Sequence, residues 1–347
     1  MNKLVFWSLA FLVITTIIYT VSNTLIPFVI SFVFAYLLQP IIDNSSKRFN
    51  FPRNLVSAGI FTVFISSFII ILLLLLPIIY NQIAVFITKI PHYKNNFNIG
   101  LSYLVARVDT IDPDIADKLS DSLQNFVNSA FSVVVAAANN IWSYTLATIN
   151  FFAIIILVPV ILYYFLRDWP KMLKSIESIL PLKEKSKIGK IFSDINSLLA
   201  AYIRGQLNIC LLLSVYYFIG LSLIGIDLAL LLGILSGFLV IIPFIGAFIS
   251  LFLMLVSCYF SYGFSVEVIY VFVLFVIAHI IEGYILTPQI IGDKIGLHPV
   301  WIIFSVFAAG SVFGFIGIVF AIPIAGVIKI LLFNMIDYYK STKIYNR

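Results

Sequence analysis

Charged residues are scarce in this chain: of 347 residues only 10% are Asp, Glu, Lys or Arg, while 62% are apolar. Soluble domains carry about 25% charged residues, so this composition excludes an ordinary soluble enzyme. The two cysteines, Cys210 and Cys258, both lie in apolar runs and are expected to be small buried side chains. No Cys/His cluster has zinc-site spacing, and the P-loop, His-Glu-x-x-His and Gly-x-Ser-x-Gly motifs are absent. We therefore expect no metal, no cofactor and no use of ATP.

Long apolar runs recur along most of the chain, and each is near the 20 residues that cross a hydrocarbon core of about 30 Å. The runs are apolar on every side, unlike the alternating strands of a membrane β-barrel. We predict an all-α polytopic membrane protein with about eight transmembrane helices. The predicted spans are 4–22, 25–42, 55–79, 149–166, 207–225, 229–260, 265–286 and 299–335.

Lys and Arg are unevenly distributed between the loops. The loop 43–54, the stretch 167–206 and the tail are basic, whereas 80–148 has more Asp than Lys and Arg. Because cytoplasmic loops carry the excess of Lys and Arg, we predict that both termini are cytoplasmic and that 80–148 lies outside. The predicted divisions are three helices in 1–79, an extracytoplasmic helical segment 80–148, a fourth span 149–166, cytoplasmic or interfacial helices 167–206, a transport core 207–336 and a basic tail 337–347.

Two segments outside the spans have helical patterns. In 80–148, Asp112-Pro113 is typical of a helix start, and the apolar stripe that follows is expected to pack on the protein's own spans or on a neighbouring subunit. The stretch 167–206 predicts two helices separated by Pro181. The second has an apolar face beside basic residues, which fits either an interfacial helix on the inner leaflet or a helix packed on the spans.

Glu282 lies near the end of the apolar run Val266–Ile281, with His279 one helical turn earlier. A charge at the centre of a bilayer costs about 2.5–3.5 kcal/mol on insertion scales, and intramembrane acids commonly carry function. We predict that Glu282 carries a proton or binds a cation and that His279 tunes or relays the proton. The alternatives are an interfacial acid at a helix end and a histidine hydrogen-bonded within the bundle. Asp227, at the outer end of the fifth span, is expected to be a solvated cap.

Two apolar segments are interrupted by Gly and Pro at identical spacing, Gly237 to Gly246 and Gly317 to Gly326. Pro removes a backbone donor, and paired interruptions of this kind indicate a binding site in many transporters. Glycine and proline at packing contacts or kinks are the alternative, and the spacing is compatible both with kinked spans and with re-entrant hairpins. The residues predicted to line the solute pathway and the helix breaks are Gly237, Pro243, Gly246, Thr287, Pro288, Gly310, Gly314, Gly317, Pro323 and Gly326.

Several motifs resemble those of the AI-2E family, also called the autoinducer-2 exporter or PerM-like family. They include Tyr164-Phe165-Leu166-Arg167-Asp168, Ala201 to Gln206, Ile242 to Gly246, Glu282 to Gly292 and Gly296-Leu297-His298-Pro299. Gln289 departs from the pattern, since members often have a basic residue there. The resemblance implies a prokaryotic inner-membrane transporter with about eight spans and a homo-oligomer, with a pentamer as one option. Members are linked to export of autoinducer-2 and to sodium/proton or similar cation antiport.

These observations predict a secondary active transporter for a small hydrophilic solute, with cation/proton antiport as the alternative. An intramembrane enzyme lacks its expected motifs, and a scaffold would not need Glu282 or the broken helices. Expected partners are the lipid bilayer, a small polar solute or H⁺ and Na⁺, and further copies of the chain, with no nucleic acid. The predicted gating or interface residues are Arg204, Gln206, Asp293 and His298, although lipid snorkelling of Arg204 and a solvated turn around Asp293 are the alternatives.

Overall fold

The computed structural model describes residues 22–109, 149–179, 185–291 and 296–341, with scattered residues between 114 and 136. The regular structure in these ranges is entirely helical, which confirms the predicted all-α fold class. The helices with defined bounds are α1 (Ser22–Phe49), α2 (Arg53–Asp109), α3 (Ile149–Ile179), α4 (Lys185–Ile224), α5 (Ala229–Leu239), α6 (Ile245–Tyr262), α7 (Val266–Ile281), a π-helix (Glu282–Ile291) and α8 (Pro299–Ser341).

Six of the helices in the described ranges are long and apolar enough to cross a membrane. They include α1, α2, α4, α6 and α8, and the sixth joins α7 to the π-helix. The predicted span 4–22 and the predicted helix start at Asp112 fall outside the described residues, and the predicted span 149–166 corresponds to the first part of α3. The chain is therefore a polytopic helical membrane protein.

Helix α2 runs without interruption through 57 residues. At 1.5 Å per residue its length is about 85 Å, nearly three times the hydrocarbon thickness. Its most apolar window has no buried residue, and large side chains such as Ile70, Leu73 and Leu74 are exposed there. This stretch suits contact with lipid, while the remainder of α2 extends beyond the hydrocarbon core.

The chain forms two compact units, each assembled from separate parts of the sequence. Unit 1 comprises residues 1–67, 150–207 and 288–347, and unit 2 comprises residues 68–149 and 208–287. Each unit contains one of the two segments that the sequence predicts to be broken, Gly317 to Gly326 in unit 1 and Gly237 to Gly246 in unit 2.

Polar side chains hold the helices of unit 1 together inside an apolar core. The core cluster includes Ala35, Leu38, Ile42, Leu162 and Leu166. Ser31 Oγ donates to the Val158 carbonyl at 3.0 Å, Gln39 Nε2 to the Phe165 carbonyl at 3.2 Å, and Ser57 Oγ to the Leu166 carbonyl at 3.3 Å. Pro170 has no N–H to donate to the Leu166 carbonyl, so Ser57 satisfies an acceptor that α3 itself cannot.

The first half of α4 packs on α1 in unit 1. Tyr202 and Ile203 form a buried cluster with Tyr36, and Trp169 packs against it. The Tyr36 hydroxyl also lies 2.9 Å from Asn196 Oδ1, to which it donates. This amphipathic stretch therefore packs on α1 at its later part, while Phe192 of its apolar face is exposed.

Helices α4 and α5 approach each other closely in unit 2 because two glycines face α4. A Cβ at Gly233 would lie 2.6 Å from the Phe218 amide nitrogen, and a Cβ at Gly237 would overlap Ser214. Small residues permit this backbone approach in membrane helices. Gly237, predicted to line the solute pathway, therefore has a packing role that is visible in the structure.

A polar stripe on α2 fixes the ends of the helices in unit 2. Gln82 Oε1 accepts a hydrogen bond from the Leu231 amide in the first turn of α5, a donor that the helix leaves unsatisfied. The Asp227 carboxylate accepts hydrogen bonds of 2.6 Å from both Lys89 Nζ and the Tyr93 hydroxyl. The expectation that Asp227 is a solvated cap is wrong, because its side chain is only 17% exposed and paired.

We expect Asp227→Ala to lower the free energy of unfolding by about 2 kcal/mol, because the buried Tyr93 hydroxyl loses its acceptor. Chemical unfolding of the purified protein in detergent would measure the change. In a Tyr93→Phe background the same substitution is expected to cost clearly less. An equal cost in both backgrounds would show that the Tyr93 bond contributes nothing to stability.

The first broken segment is a helical hairpin. Helix α5 ends at Leu239, α6 begins at Ile245, and the two helices pack against each other. Phe244 has φ +63° and ψ −55°, and the Ile245 amide donates to the Pro243 carbonyl at 2.7 Å. This geometry is that of a classic γ-turn, which is rare and strained. Gly246 lies directly against Leu239, where a Cβ would overlap the carbonyl oxygen.

The second broken segment also folds back on itself, but at Gly314. Gly314 has φ +61° and ψ −143° within α8. A Cβ at Gly317 would overlap the Ala309 carbonyl, although eight residues of straight helix span about 12 Å. Pro323 lies inside the helical arm that follows. The chain therefore reverses before the Gly317–Gly326 motif, whereas the first hairpin turns within the matching motif.

Gly314→Ala is expected to lower the free energy of unfolding by about 2 kcal/mol, because its backbone conformation is essentially restricted to glycine. Nothing lies within 4 Å of the Cβ position, so the backbone alone causes the loss. Thermal unfolding would be compared with that of Gly59→Ala in α2, which also has open space but lies in ordinary helix and should be neutral or slightly stabilising. Equal stability of the two variants would contradict the assigned turn.

Candidate functional site

Glu282 continues the buried face of α7 in unit 2. Val271 and Ala278 on this face are fully buried, and Glu282 follows Ala278 by four residues, which places it on the same side of the helix. Its side chain is 24% exposed, and its Oε2 lies 3.9 Å from Nδ1 of His279. The predicted pair is thus brought together, with Glu282 directed mainly towards protein.

His279 is held by an aromatic neighbour on its own helix. The Phe275 and His279 ring centroids are 4.2 Å apart, with an angle of 31° between the rings. Nδ1 of His279 is buried and has no hydrogen-bond partner among the described residues. The imidazole therefore stacks against Phe275 and lies beside the Glu282 carboxylate.

A π-helix begins at Glu282 and ends at Ile291. Such helices are rare and frequent at functional sites, because the wider turn redirects side chains and frees backbone groups. Pro288 lies inside this helix and supplies no N–H, while Thr287 is half-buried and Pro288 is exposed. The sequence predicted a span to residue 286 and missed this change of helix type. The combination of Gly283 with Pro288 is the sequence feature that could have predicted this change of helix type.

Helix α4 packs across α7 at Leu274, two helical turns before Glu282. The Tyr216 hydroxyl donates to the Leu274 carbonyl at 3.1 Å, and a Cβ at Gly220 would meet the Leu274 side chain. Tyr217 is fully buried, and its hydroxyl has no hydrogen-bond partner among the described residues.

The remaining predicted pathway residues fall in both units. Pro243 and Gly246 flank the turn of the first hairpin, and Gly246 is buried. In unit 1, Gly310 and Gly314 lie near the turn of the second hairpin, whereas Gly317, Pro323 and Gly326 are buried in its later arm. Gly326 contacts Leu198 of α4. Pro323 leaves the Val319 carbonyl without its usual helical donor.

Three of the predicted gating or interface residues, Arg204, Gln206 and His298, belong to unit 1. Arg204 Nε donates to the Ala200 carbonyl at 2.9 Å, and Gln206 is half-buried. His298 borders a cavity of about 440 Å³ between the two arms of α8, which is lined mainly by aromatic and aliphatic side chains. Asp293 lies outside the described residues. The apolar walls make this cavity unsuited to a hydrophilic solute.

The motif at the end of the fourth predicted span forms an ion-paired cluster. Arg167 lies 4.8 Å from the Tyr164 ring centroid, and its guanidinium donates to Asp168 at 2.7 Å. The Arg167 guanidinium, with help from Lys171, lowers the pKa of Asp168 below its usual value. An ionised Asp168 therefore neutralises part of the basic charge in this stretch, which suits a structural role at the membrane boundary.

Helical hairpins, a π-helix and a carboxylate within an apolar helix are features of membrane transport proteins. Among the described residues, no cluster of three or more His, Cys, Asp or Glu could hold a metal ion. The chain belongs to the AI-2E transporter family, because the sequence profile described as "AI-2E family transporter" matches residues 7–337. This is a family of transporters and not of enzymes.

Similar proteins cover nearly the whole chain. The "Putative transport protein YueF" of Bacillus subtilis is 26% identical, covering 98% of this chain and 95% of its own length. "Putative transport protein YrrI" from the same organism is 27% identical, with 95% and 90% covered. The "Putative permease PerM" of Escherichia coli is 28% identical, with 90% and 88% covered. These relatives support the family assignment without defining a substrate.

Proposed function

We propose that this protein is a secondary active transporter that exports a small hydrophilic, autoinducer-2-like solute across a prokaryotic inner membrane, with Glu282 coupling transport to protons. The observation that carries the proposal is the mostly buried Glu282 carboxylate beside His279 at the start of the π-helix. One proton that moves down a potential of 100 mV supplies about 2.3 kcal/mol, which suffices for modest uphill export. The AI-2E family membership supports transport as the activity.

Cation/proton antiport is the second candidate. A carboxylate that is 24% exposed next to an imidazole can hold either a proton or a small cation, because both stabilise the negative charge in a low-dielectric setting. A cation that replaces the proton on Glu282 would exchange for it across the membrane. The two candidates share the same acid and differ in what is exchanged for the proton, a small hydrophilic solute or a cation.

The wider architecture of the proposal follows from the charge pattern and from family resemblance. Both termini lie in the cytoplasm, because the basic loops lie on that side. Residues 207–336 form the transport core, 80–148 forms the extracytoplasmic segment and 167–206 the cytoplasmic helices. The protein works as a homo-oligomer, with a pentamer as one option.

Proteoliposomes would test this function directly. The purified protein would be reconstituted with a trapped pH dye, and sodium and then potassium would be pulsed across a pH gradient. A second set would be loaded with labelled autoinducer-2 and its release followed with and without the gradient. Gradient-driven solute release supports export, whereas cation-driven proton movement supports antiport. Traces that match protein-free liposomes in both assays would overturn the proposal.

A further inference from the structure

The cavity of about 440 Å³ between the two arms of α8 has the properties of a ligand site. The residues that line it belong to unit 1, whereas Glu282 belongs to unit 2. Its walls are mainly aromatic and aliphatic, with Trp301, Phe304 and Phe333 among the largest side chains. Ligand sites commonly have this size and this composition, with apolar walls and a few polar groups that fix the orientation of the ligand.

The apolar walls suit an acyl chain better than water. A buried water needs two to four polar partners, and the Ser305 hydroxyl in the wall already donates to the Trp301 carbonyl at 2.6 Å. Trp301, Phe304 and Phe333 are each more than half exposed, so the cavity opens to the outside of the protein. Because α8 is long and apolar enough to cross a membrane, an acyl chain of the bilayer can enter and fill it.

Lys329 gives this apolar cavity a positive charge. Its Nζ donates to the Gly296 carbonyl at 2.6 Å, and this acceptor is neutral, so the bond does not cancel the charge of the ammonium. An ionisable side chain within a membrane segment indicates a functional site with a charged partner. In the same wall, Nδ1 of His298 accepts from the Val300 amide at 3.4 Å. A neutral His298 therefore keeps its proton on Nε2 and supplies a second donor.

The charged part of the cavity lies at the end of the second hairpin opposite its turn. Because the chain reverses at Gly314, both ends of α8 lie on this side, where Lys329 contacts Gly296. The tail 337–347 that follows is basic, so the proposed topology directs this end to the cytoplasm. The cytoplasmic leaflet carries anionic lipids, and basic pockets between membrane helices on that side bind their headgroups.

We propose that the cavity between the arms of α8 binds an anionic phospholipid. One acyl chain lies against the aromatic walls, and the phosphate accepts from Lys329 and from Nε2 of His298. The charge of Lys329 selects a lipid with a net negative headgroup, because the choline of a zwitterionic lipid carries a positive charge that offsets its phosphate. This site goes beyond the proposed transport activity and does not depend on it.

Native mass spectrometry of the purified full-length protein would test this site. The protein in detergent would be incubated with phosphatidylglycerol or with phosphatidylcholine of the same chain length, and the bound lipid per protomer would be counted. We expect phosphatidylglycerol to bind about fivefold more tightly, which is the effect of one basic side chain on an anionic lipid. Lys329→Met should make the two affinities equal, whereas Lys329→Arg keeps the charge and should keep the preference.

Two further variants separate the acyl-chain site from general attraction to basic residues. Ser305→Leu places a larger side chain in the cavity wall and leaves Lys329 intact, so we expect weaker binding of both lipids. Lys340→Met is the matched control. It removes a lysine at the end of the same helix, outside the set of described residues that line the cavity, and should leave the lipid preference unchanged.

Several outcomes would overturn the lipid site. Equal binding of the two lipids by the unchanged protein would show that the cavity does not select an anionic headgroup. An equal loss of preference in Lys340→Met and Lys329→Met would indicate attraction to the basic end of α8 in general. If Ser305→Leu retains its lipid but loses its association with other copies of the chain, a second copy occupies the cavity. If Lys329→Met does not fold, the unchanged protein and Ser305→Leu still decide the question.

Discussion

Glu282→Gln is expected to abolish proton-coupled flux while the protein remains folded. Glutamine has nearly the same volume as glutamate and can still form hydrogen bonds, but it cannot take up or release a proton at neutral pH. The side chain is three-quarters buried beside His279, so removal of its charge also relieves a desolvation cost and should not reduce stability. The measurement is dye-reported flux in proteoliposomes, with a signal expected to fall to the level of protein-free liposomes.

Glu267→Gln provides the matched control, because it removes an acid from the first turn of the same helix. We expect this variant to keep most of its flux. Equal loss of flux in both variants would indicate that flux depends on the total negative charge of α7. Glu282 would then have no specific role in carrying the proton. Full flux in Glu282→Gln would remove this residue from the proton route.

Gly246→Ala is expected to destabilise the first hairpin by about 3 kcal/mol, at the upper end of the usual cost of overpacking. The added Cβ would overlap the Leu239 carbonyl oxygen and carbon, and these are backbone atoms that cannot rotate away as a side chain could. The γ-turn at Phe244 joins the same two helices, so the clash must displace the turn itself. Thermal unfolding in detergent should show a lower midpoint, and flux should fall with it.

Gly283→Ala tests whether any added methyl group near the site has this effect. Nothing lies within 4 Å of the Cβ position at Gly283, so we expect nearly unchanged stability. A large loss in Gly283→Ala, or a normal midpoint in Gly246→Ala, would contradict the close contact between Gly246 and Leu239.

The sequence was sufficient for the class of fold because apolar length and composition determine which segments can form membrane helices. The same patterns located the acid at 282 and its histidine neighbour. They also identified Pro243 and Gly246 as a break, since proline and glycine interrupt a helix through their own backbone chemistry. Each of these features depends on residues that are close together in the sequence, and for this reason a single sequence was enough to detect them.

Features that depend on distant contacts could not be predicted in this way. The choice between a kink and a hairpin depends on whether Gly246 meets Leu239 and Gly317 meets Ala309, and spacing alone does not contain that information. Gly314 and Pro323 are both plausible breaks in the sequence, but only Gly314 adopts the glycine-specific conformation, while helix packing holds Pro323 within its arm.

The three side-chain bonds of unit 1 that end on carbonyls of α3 also set the register of that unit. If α1 slid along α3 by one helical turn, Ser31 and Gln39 would lose their acceptors in a medium that offers few replacements. The bond from Ser57 adds a third fixed point at the start of α2. We therefore expect these helices to move together in any conformational change of unit 1, with the glycine turn of α8 as the element best able to absorb it.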